Sequence, residues 1–372
     1  MKDSGIEWIG DIPKNWNMSK IGSLYTQRNE KVSDKEYQPL SVTMQGVLPQ
    51  LASAAKTDDG DNRKLVRVGD FAINSRSDRR GSCGISPLDG SVSLINIILT
   101  PRTTMHPGYF DWLFHTTLFA DEFYKWGHGI VADLWTTRWQ EMKSICVPVP
   151  EYAEQKRISE FLNSECAEID AVLEKTRASI DEYKKLKQTV ITQAVTKGIR
   201  GGRPMKDSGE SFLHKVPVGW TNSKIKYCAI FSPLCNTSHL TEDSIVTFTP
   251  MECIKNGYFE NREAVFASMN SSYTQYQEGD IVFAKVTPCF ENGNIAIMQG
   301  LSFEFGFGSS ELFVLRPKSI NTKFLFYYLQ NDIFKQYACA TMTGTGGLKR
   351  VSPSFVRNFP IFLPSDSEQA DI

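Results

Sequence analysis

The sequence lacks the features that would place it in a membrane or outside the cell. None of its 372 residues belong to an apolar run near the roughly 18 residues needed to cross a bilayer. The first five residues, MKDSG, have neither the basic nor the apolar region of a signal peptide. The eight cysteines form no Cys-x-x-Cys pair and no zinc-type Cys/His cluster, which predicts reduced, mostly buried thiols. We therefore expect a folded, soluble and cytoplasmic protein.

An excess of charge of either sign is also missing. The formal net charge is −1, yet a nucleic-acid partner is not excluded, because phosphate binding depends on where Lys and Arg cluster. Hydrophobic content of 41% and aromatic content of 12% are typical of globular proteins. A chain of this length is expected to form two domains.

Signatures of catalysis are scarce. The glycine-rich run 344–349 lacks the GxxxxGK[ST] pattern of a phosphate-binding loop. Glu278 and Asp280, followed by Lys285, resemble the acid-acid-lysine set of a metal-dependent nuclease. However, Phe283 occupies the position where a carboxylate would hold the metal. The five histidines have no obvious acid or nucleophile partner in sequence, so a surface or core position is the expected role of each, and a constellation formed only by the fold is left open.

What the sequence does contain is an internal duplication. Residues 1–21 align without gaps to residues 205–225 and match at 10 of 21 positions. Further along, residues 68–73 resemble residues 278–283, each a turn followed by a strand-like apolar run. The chain is therefore predicted to hold two similar modules.

The module ends are marked by a second shared motif. Residues 147–155, VPVPEYAEQ, contain a proline followed four and five residues later by Glu and Gln. The same pattern recurs in residues 362–369, FLPSDSEQ. We place the first module at residues 1–150 and the second at residues 199–364.

A long spacer helix is predicted over residues 151–198. Within this segment the helical pattern runs from Tyr152 to about Thr196, so Pro150 lies just before the helix and Gly198 just after it, as is common at helix termini. Its side chains repeat in alternating steps of three and four, with one longer gap, which is typical of a coiled coil. This stripe consists of Ile158, Leu162, Glu165, Ile169, Val172, Thr176, Tyr183, Leu186 and Val190.

Two shorter segments complete this organisation. Residues 198–204, GIRGGRP, are predicted to form a flexible basic linker. Ser365 and Glu368 have the spacing of a capping box, so residues 365–372 are predicted to begin a second, truncated helix.

Basic and small polar side chains cluster at corresponding places in the two modules. Arginine can grip phosphates or read guanine edges, and glycine allows close backbone approach. The segments concerned are 74–82, 127–138 and 341–352, although a solvated surface loop is the alternative interpretation of each. The candidate DNA-binding residues are Arg76, Arg79, Arg80 and Arg138 in the first module, and Lys285, Thr345, Lys349 and Arg350 in the second; Lys285, together with Thr287, is a candidate on weaker grounds.

Taken in order, these features resemble the specificity (S) subunit family of type I restriction-modification enzymes. The resemblance rests on the doubled module start, the glycine-rich basic segments and the two proline-led junctions. It implies an α+β fold with two tandem target-recognition domains joined by a long coiled-coil-like helix. Each domain would read one half of a bipartite, asymmetric target in double-stranded DNA.

The resemblance also implies the partners. Two methyltransferase (M) subunits and the restriction/translocase (R) subunits would supply catalysis, with S-adenosylmethionine, ATP and Mg bound there and no cofactor, metal or membrane bound by this chain. Family members usually carry a second conserved helix, of which residues 365–372 would be the beginning. A non-DNA protein-interaction scaffold and a self-contained nuclease-methyltransferase are the alternative functions.

Overall fold

The computed structural model describes residues 1–50, 60–129, 135–269, 271–301, 303–344 and 347–372, apart from the side chain of Ser77. The chain divides into two compact units, Met1–Lys175 and Thr176–Ile372, and each is described by itself. In these ranges, no helix combines the length and apolar character that a membrane span requires.

The first unit mixes short strands with helices. Its strands are β1 Lys2–Asp3, β2 Asp11–Ile12, β3 Asn17–Lys20, β4 Tyr25–Arg28, β5 Lys31–Val32, β6 Leu40–Thr43, β7 Gly46–Pro49, β8 Arg63–Val66, β9 Phe71–Asn74, β10 Cys83–Ile85, β11 Gly90–Val92, β12 Asn96–Pro101 and β13 Cys146–Val149. Its helices are α1 Ile21–Leu24, α2 Pro107–Phe114, α3 Thr117–Lys125, α4 Trp139–Met142 and the beginning of α5 Tyr152–Lys197.

The second unit contains the end of α5 and a similar succession of elements. Its strands are β14 Met205–Glu210, β15 Leu213–Pro217, β16 Thr221–Lys224, β17 Ala229–Phe231, β18 Ile245–Thr249, β19 Arg262–Val265, β20 Thr274–Gln277, β21 Ile281–Ala284, β22 Ile295–Ile297, β23 Phe305–Gly308, β24 Leu312–Pro317 and β25 Pro360–Leu363. Its other helices are α6 Ile225–Cys228, α7 Thr322–Gln330, α8 Asp332–Ala340, α9 Pro353–Asn358 and α10 Asp366–Asp371.

The duplication seen in the sequence is also a duplication of topology. The main sheet of the first unit has the strand order β10-β9-β12-β4, and that of the second has the equivalent order β22-β21-β24-β17. In each unit the first strand after the N-terminal hairpin, β3 or β16, pairs antiparallel with the last strand, β13 or β25. The strands predicted after the two Gly-Asp turns are confirmed as β9 and β21.

Aromatic side chains fill the core between the main sheet and the helix pair of each unit. In the first, the Phe71 and Phe114 rings lie 4.4 Å apart, and the Phe114 and Phe119 rings lie 4.7 Å apart. In the second, Phe334 of α8 packs edge-on against Phe359. Burial of such large apolar side chains holds α2–α3 and α7–α8 against their sheets.

The recurring Pro-x3-Glu-Gln motif joins the last strand of each unit to the following helix. Buried Gln155 accepts a hydrogen bond from the backbone N–H of His106 (2.9 Å) and donates to the Pro150 carbonyl (2.8 Å). Gln369 makes the same pair of bonds, from the Asn321 N–H (2.8 Å) and to the Pro364 carbonyl (3.0 Å). His106 and Asn321 cap α2 and α7, so each glutamine fixes two helix starts together.

We expect Gln155→Ala to destabilise the first unit by about 1–3 kcal/mol, because it leaves a buried N–H and a buried carbonyl without partners. Urea unfolding with hydrogen exchange in α2 measures the effect. Gln193→Ala, at an exposed position of α5, is the matched control and is expected to change little. Equal stability of the two variants would contradict the role given to Gln155.

Helix α5 confirms the predicted spacer helix almost to the residue, since it begins at Tyr152 and ends at Lys197. Gly198 follows in the left-handed region, with φ +76°, as expected for a residue that stops a helix. Several members of the predicted stripe are more than half exposed, among them Ile169 and Tyr183. The segment after the helix is anchored rather than a simple flexible linker, because Arg203 contacts both Glu368 and the Trp220 ring.

The predicted helix start near the C-terminus is confirmed as α10. The Ser365 hydroxyl accepts from the Glu368 N–H (3.4 Å), as in a capping box. The Glu368 carboxylate does not complete the box, because it accepts hydrogen bonds from Arg203 and from the Trp220 indole N–H (3.4 Å). The hydrogen bond from Arg203 is the main cause that lowers the pKa of Glu368 below its usual 4.5.

This ion pair predicts acid sensitivity of the second unit. Because the folded-state pKa is lowered, the stabilisation is complete above pH 4.5 and is lost as the pH falls through the folded pKa. Glu368→Gln should therefore reduce the difference in free energy of unfolding between pH 7 and pH 3. Urea titrations at both pH values test this, with Glu263→Gln on exposed β19 as control. An unchanged difference would show that the pair contributes no pH dependence.

Candidate nucleic-acid interface

In the first unit, two of the predicted basic segments meet at the end of strand β9. The Thr137 N–H donates to the Ser75 carbonyl (3.0 Å), and Arg76 forms an isolated antiparallel bridge with Thr136. Thr136 also pairs with His128 through two backbone hydrogen bonds of 3.0 Å. Segments that lie some 60 residues apart in the sequence therefore form one surface.

Side-chain and backbone groups of helix α3 form hydrogen bonds with this surface. The Tyr124 hydroxyl donates to the Arg76 carbonyl (2.9 Å), and the Trp135 indole N–H donates to the Tyr124 carbonyl (2.9 Å). The buried Thr137 hydroxyl donates to the Phe123 carbonyl (2.8 Å). These bonds attach Arg76, Trp135 and Thr137 to α3, and they use none of the donors of the Arg76 and Arg138 guanidinium groups.

An open cleft of about 350 Å³ lies along this surface. Among the described residues, the exposed guanidinium groups of Arg76 and Arg138 have no ion-pair partner. Lys64 lies deeper, where its ammonium donates to the Asn96 carbonyl (2.6 Å) and burial lowers its pKa. The cleft thus presents positive charge beside polar and aromatic groups, and it is lined by Gln27, Lys64, Ser75, Arg76, Leu94, Ile95, Ile97, Thr136, Thr137, Arg138 and Trp139.

The other two arginines predicted in this unit do not line the cleft. Arg79 ends a short 3-10 turn, Ser77–Arg79, and lies 3.6 Å from the Asp78 carboxylate with both side chains exposed. Arg80 pairs with Asp121 and lies over the Tyr124 ring, 5.7 Å from its centroid. Their contact with DNA stays a prediction, and their acidic neighbours reduce the charge they can offer.

The second unit builds the same backbone arrangement at the end of β21. The Val351 N–H donates to the Lys285 carbonyl (2.9 Å), and Val286 forms an antiparallel bridge with Arg350. Arg350 also pairs with Thr343 through backbone bonds of 3.1 and 2.8 Å. By these bonds, Lys285 is the counterpart of Ser75, and Arg350 is the counterpart of Thr136.

Thr287 holds the glycine-rich loop of the second unit in place. Its hydroxyl donates to the Gly347 carbonyl (2.8 Å) and accepts from the Lys349 N–H (3.0 Å). The exposed Lys349 side chain has no ion-pair partner in the described part of the chain. Thr345, the remaining predicted contact, lies outside the described residues.

Glu311, which immediately precedes β24, is a charged residue of this surface that was not among the residues predicted from the sequence. Its carboxylate accepts two hydrogen bonds from Arg350, at 3.0 Å from Nε and 2.8 Å from Nη2, and lies 4.0 Å from the Lys285 ammonium. The Arg350 hydrogen bond is the main cause that lowers the pKa of Glu311. No sequence motif marks this position, because Glu311 lies 39 residues before Arg350 in the chain.

The acidic residues of the nuclease-like pattern are engaged in holding the fold. Asp280 is buried and accepts two hydrogen bonds from Arg316, at 2.9 and 2.8 Å, and one from the Gln277 N–H (2.9 Å). Glu278 accepts from the Gly300 N–H (2.9 Å). Among the described residues, no group of three or more His, Cys, Asp and Glu side chains could hold a metal ion.

Comparison with known sequences gives a family for the second half of the chain. Residues 217–372 match the type I restriction modification DNA specificity domain. The chain is 31% identical over 188 residues to the type I restriction enzyme EcoEI specificity subunit of Escherichia coli, which covers 49% of this chain and 31% of that protein. It is 34% identical over 180 residues to the EcoAI specificity subunit of the same organism, which covers 47% and 30%. The chain therefore spans about a third of the length of these two relatives.

Solved structures extend the likeness of fold to the whole chain. A chain of a type I restriction-modification system, described for its complex assembly and conformational transition, superposes with a TM-score of 0.71 at 15% identity, covering 97% of this chain and 89% of that one. The HsdS subunit from Thermoanaerobacter tengcongensis gives 0.55 at 16% identity, covering 100% and 89%. These matches confirm the predicted α+β architecture of two domains joined by a long helix.

Proposed function

We propose that the chain is a specificity subunit of a type I restriction-modification system, in which each unit reads one half of a bipartite, asymmetric target in double-stranded DNA. The observation that carries this proposal is the repeated surface at the ends of β9 and β21. The backbone hydrogen bonds are the same in both units, whereas the side chains they present differ. Two units that share a backbone arrangement but present different side chains are suited to recognise two different half-sites.

The charges of the two surfaces agree with this proposal. The first unit offers the guanidinium groups of Arg76 and Arg138, which have no ion-pair partner among the residues that the structure describes. The second offers Lys285, Lys349 and Arg350. Such groups can contact phosphates and base edges together, which positions a protein on a duplex and selects its sequence. The chain as a whole is nearly neutral, which does not exclude DNA binding, because phosphate contacts depend on local basic groups such as these rather than on the net charge.

We also propose that α5 docks methyltransferase subunits, two in the complete enzyme, which restriction subunits then join. In the second unit, Tyr183, Leu186 and Val190 of α5 are more than half exposed. They line an apolar groove of about 450 Å³ together with Tyr327 of α7. Exposed apolar surface of this kind is typical of a site for a protein partner.

Catalysis belongs to those partners in this proposal. The chain alone would bind neither S-adenosylmethionine nor ATP, and would methylate no DNA without the methyltransferase subunits. Flipping and methylating a base needs a pocket and a cofactor, whereas reading a half-site needs only surface contacts.

Single-molecule methylation mapping of a host that expresses the whole complex tests the proposal. We expect one bipartite, asymmetric motif methylated at adenine, which disappears when this chain is omitted. A complex that retains no duplex DNA at any salt concentration would instead favour the protein-interaction scaffold. Binding of S-adenosylmethionine by the isolated chain would favour the self-contained enzyme.

A further inference from the structure

The charged side chains Lys285, Glu311 and Arg350 form a cluster that we call the second-unit triad. Three segments of the chain supply its members, one each. The Lys285 N–H donates to the Glu311 carbonyl (3.0 Å), and the Val351 N–H donates to the Lys285 carbonyl (2.9 Å). Backbone hydrogen bonds therefore fix the three Cα positions relative to one another independently of the side-chain contacts.

The first unit has the same backbone bonds at equivalent positions, with uncharged side chains. The Ser75 N–H donates to the Ile95 carbonyl (3.4 Å), and the Thr137 N–H donates to the Ser75 carbonyl (3.0 Å). Ser75, Ile95 and Thr136 thus stand where Lys285, Glu311 and Arg350 stand in the second unit. Maintenance of the fold does not require the charges, since the duplicate is built without them.

The geometry of the ion pair defines what Arg350 can still bind. A guanidinium carries five N–H donors in a fixed plane, and Glu311 takes one from Nε and one from Nη2. The other three donors have no acceptor among the described residues, and the edge between Nη1 and Nη2 carries two parallel N–H groups. That edge matches the O6 and N7 acceptors of guanine in the major groove.

The exposed fractions of the three side chains agree with a ligand bound at the Nη1–Nη2 edge of Arg350. The Arg350 side chain is 48% exposed, whereas Glu311 is 29% and Lys285 is 26% exposed. Lys285 is held back by hydrogen bonding to the Ser310 carbonyl. Arg350 is therefore the member presented to solvent, with the other two behind it. A long side chain fixed by a bidentate partner loses less conformational entropy on binding than a free one.

Resting on the proposed function, we infer that Glu311 is a positioning residue that orients Arg350 to read a guanine in the half-site of the second unit. Glu311 would touch no base itself. The first unit, with Ile95 and Thr136 at the equivalent positions, would have no such reader at the corresponding base pair.

The test uses the complete methyltransferase complex and the native target, together with targets substituted at each position of the second half-site. Glu311→Gln keeps the shape of the side chain and removes its charge. We expect it to reduce discrimination at one G·C pair by roughly 5- to 150-fold, the range of one bidentate base contact. Discrimination in the first half-site should stay unchanged. Arg350→Lys should reduce discrimination at the same base pair. The double variant should discriminate at that base pair as well as Arg350→Lys alone.

The controls separate the alternatives. Glu263→Gln, with the same change of charge on exposed β19, should leave all discrimination unchanged. If Glu311→Gln instead tightens binding to every sequence and steepens its salt dependence, then Glu311 only neutralises part of the positive charge of Lys285 and Arg350, and the inference is wrong. Unchanged discrimination in a variant that melts like wild type also overturns it. Failure of the wild-type complex to discriminate between any targets would instead count against the proposed function itself.

Discussion

Replacing Asp280 by alanine is expected to lower the stability of the second unit by about 3 kcal/mol. The carboxylate is buried and receives three hydrogen bonds, two from Arg316 and one from the Gln277 N–H. Its removal leaves a guanidinium that is only 21% exposed without its partner, and breaking such a pair costs about 3–5 kcal/mol. The lower end applies because Arg316 retains some contact with water.

Hydrogen exchange by mass spectrometry can assign the loss to one unit. Amides of β21 and β24 should lose protection in Asp280→Ala, whereas those of β9 and β12 should keep it. The double variant Asp280→Ala, Arg316→Met should recover part of the stability, because it also removes the buried charge. If the double variant is as unstable as the single one, the loss of stability comes from the hydrogen bond that Asp280 accepts in the Gly-Asp turn and not from the ion pair.

Reversing the charges of Arg76 and Arg138, which have no ion-pair partner in the described part of the chain, should reduce affinity for the target by roughly 100-fold. In Arg76→Glu, Arg138→Glu, two charged hydrogen-bond donors are lost, each worth at least about 1.5 kcal/mol. The slope of log K against log salt should also fall by about 2, one for each phosphate contact removed. Fluorescence anisotropy with the methyltransferase complex, at several salt concentrations, measures both quantities.

The matched control for this variant is Lys2→Glu, Lys14→Glu, which changes the net charge equally at exposed positions outside the cleft. The control should keep most of the affinity and nearly the whole salt slope, because neither lysine lines the cleft and salt screens exposed charges that make no direct contact with the DNA. If both double variants weaken binding alike, DNA responds to the total charge of the unit and not to the cleft.

The sequence by itself determined the features that depend on local pattern. The repeat, the strands after the two Gly-Asp turns and the bounds of α5 were all predicted correctly, because periodicity and capping act over a few residues. The shared Glu-Gln motif was also visible, but its purpose was not. Only the fold shows that Gln155 and Gln369 each bridge two helix starts.

The tertiary structure decided which of the basic residues act together. Composition alone grouped Arg76 with Arg79 and Arg80, whereas strand pairing places Arg76 beside Arg138 and turns the other two toward Asp78 and Asp121. Glu311 could not be found from the sequence, because it meets Arg350 only when β24 and the glycine-rich loop both pack against the end of β21. Contacts between distant segments depend on the completed sheet, which local patterns do not encode.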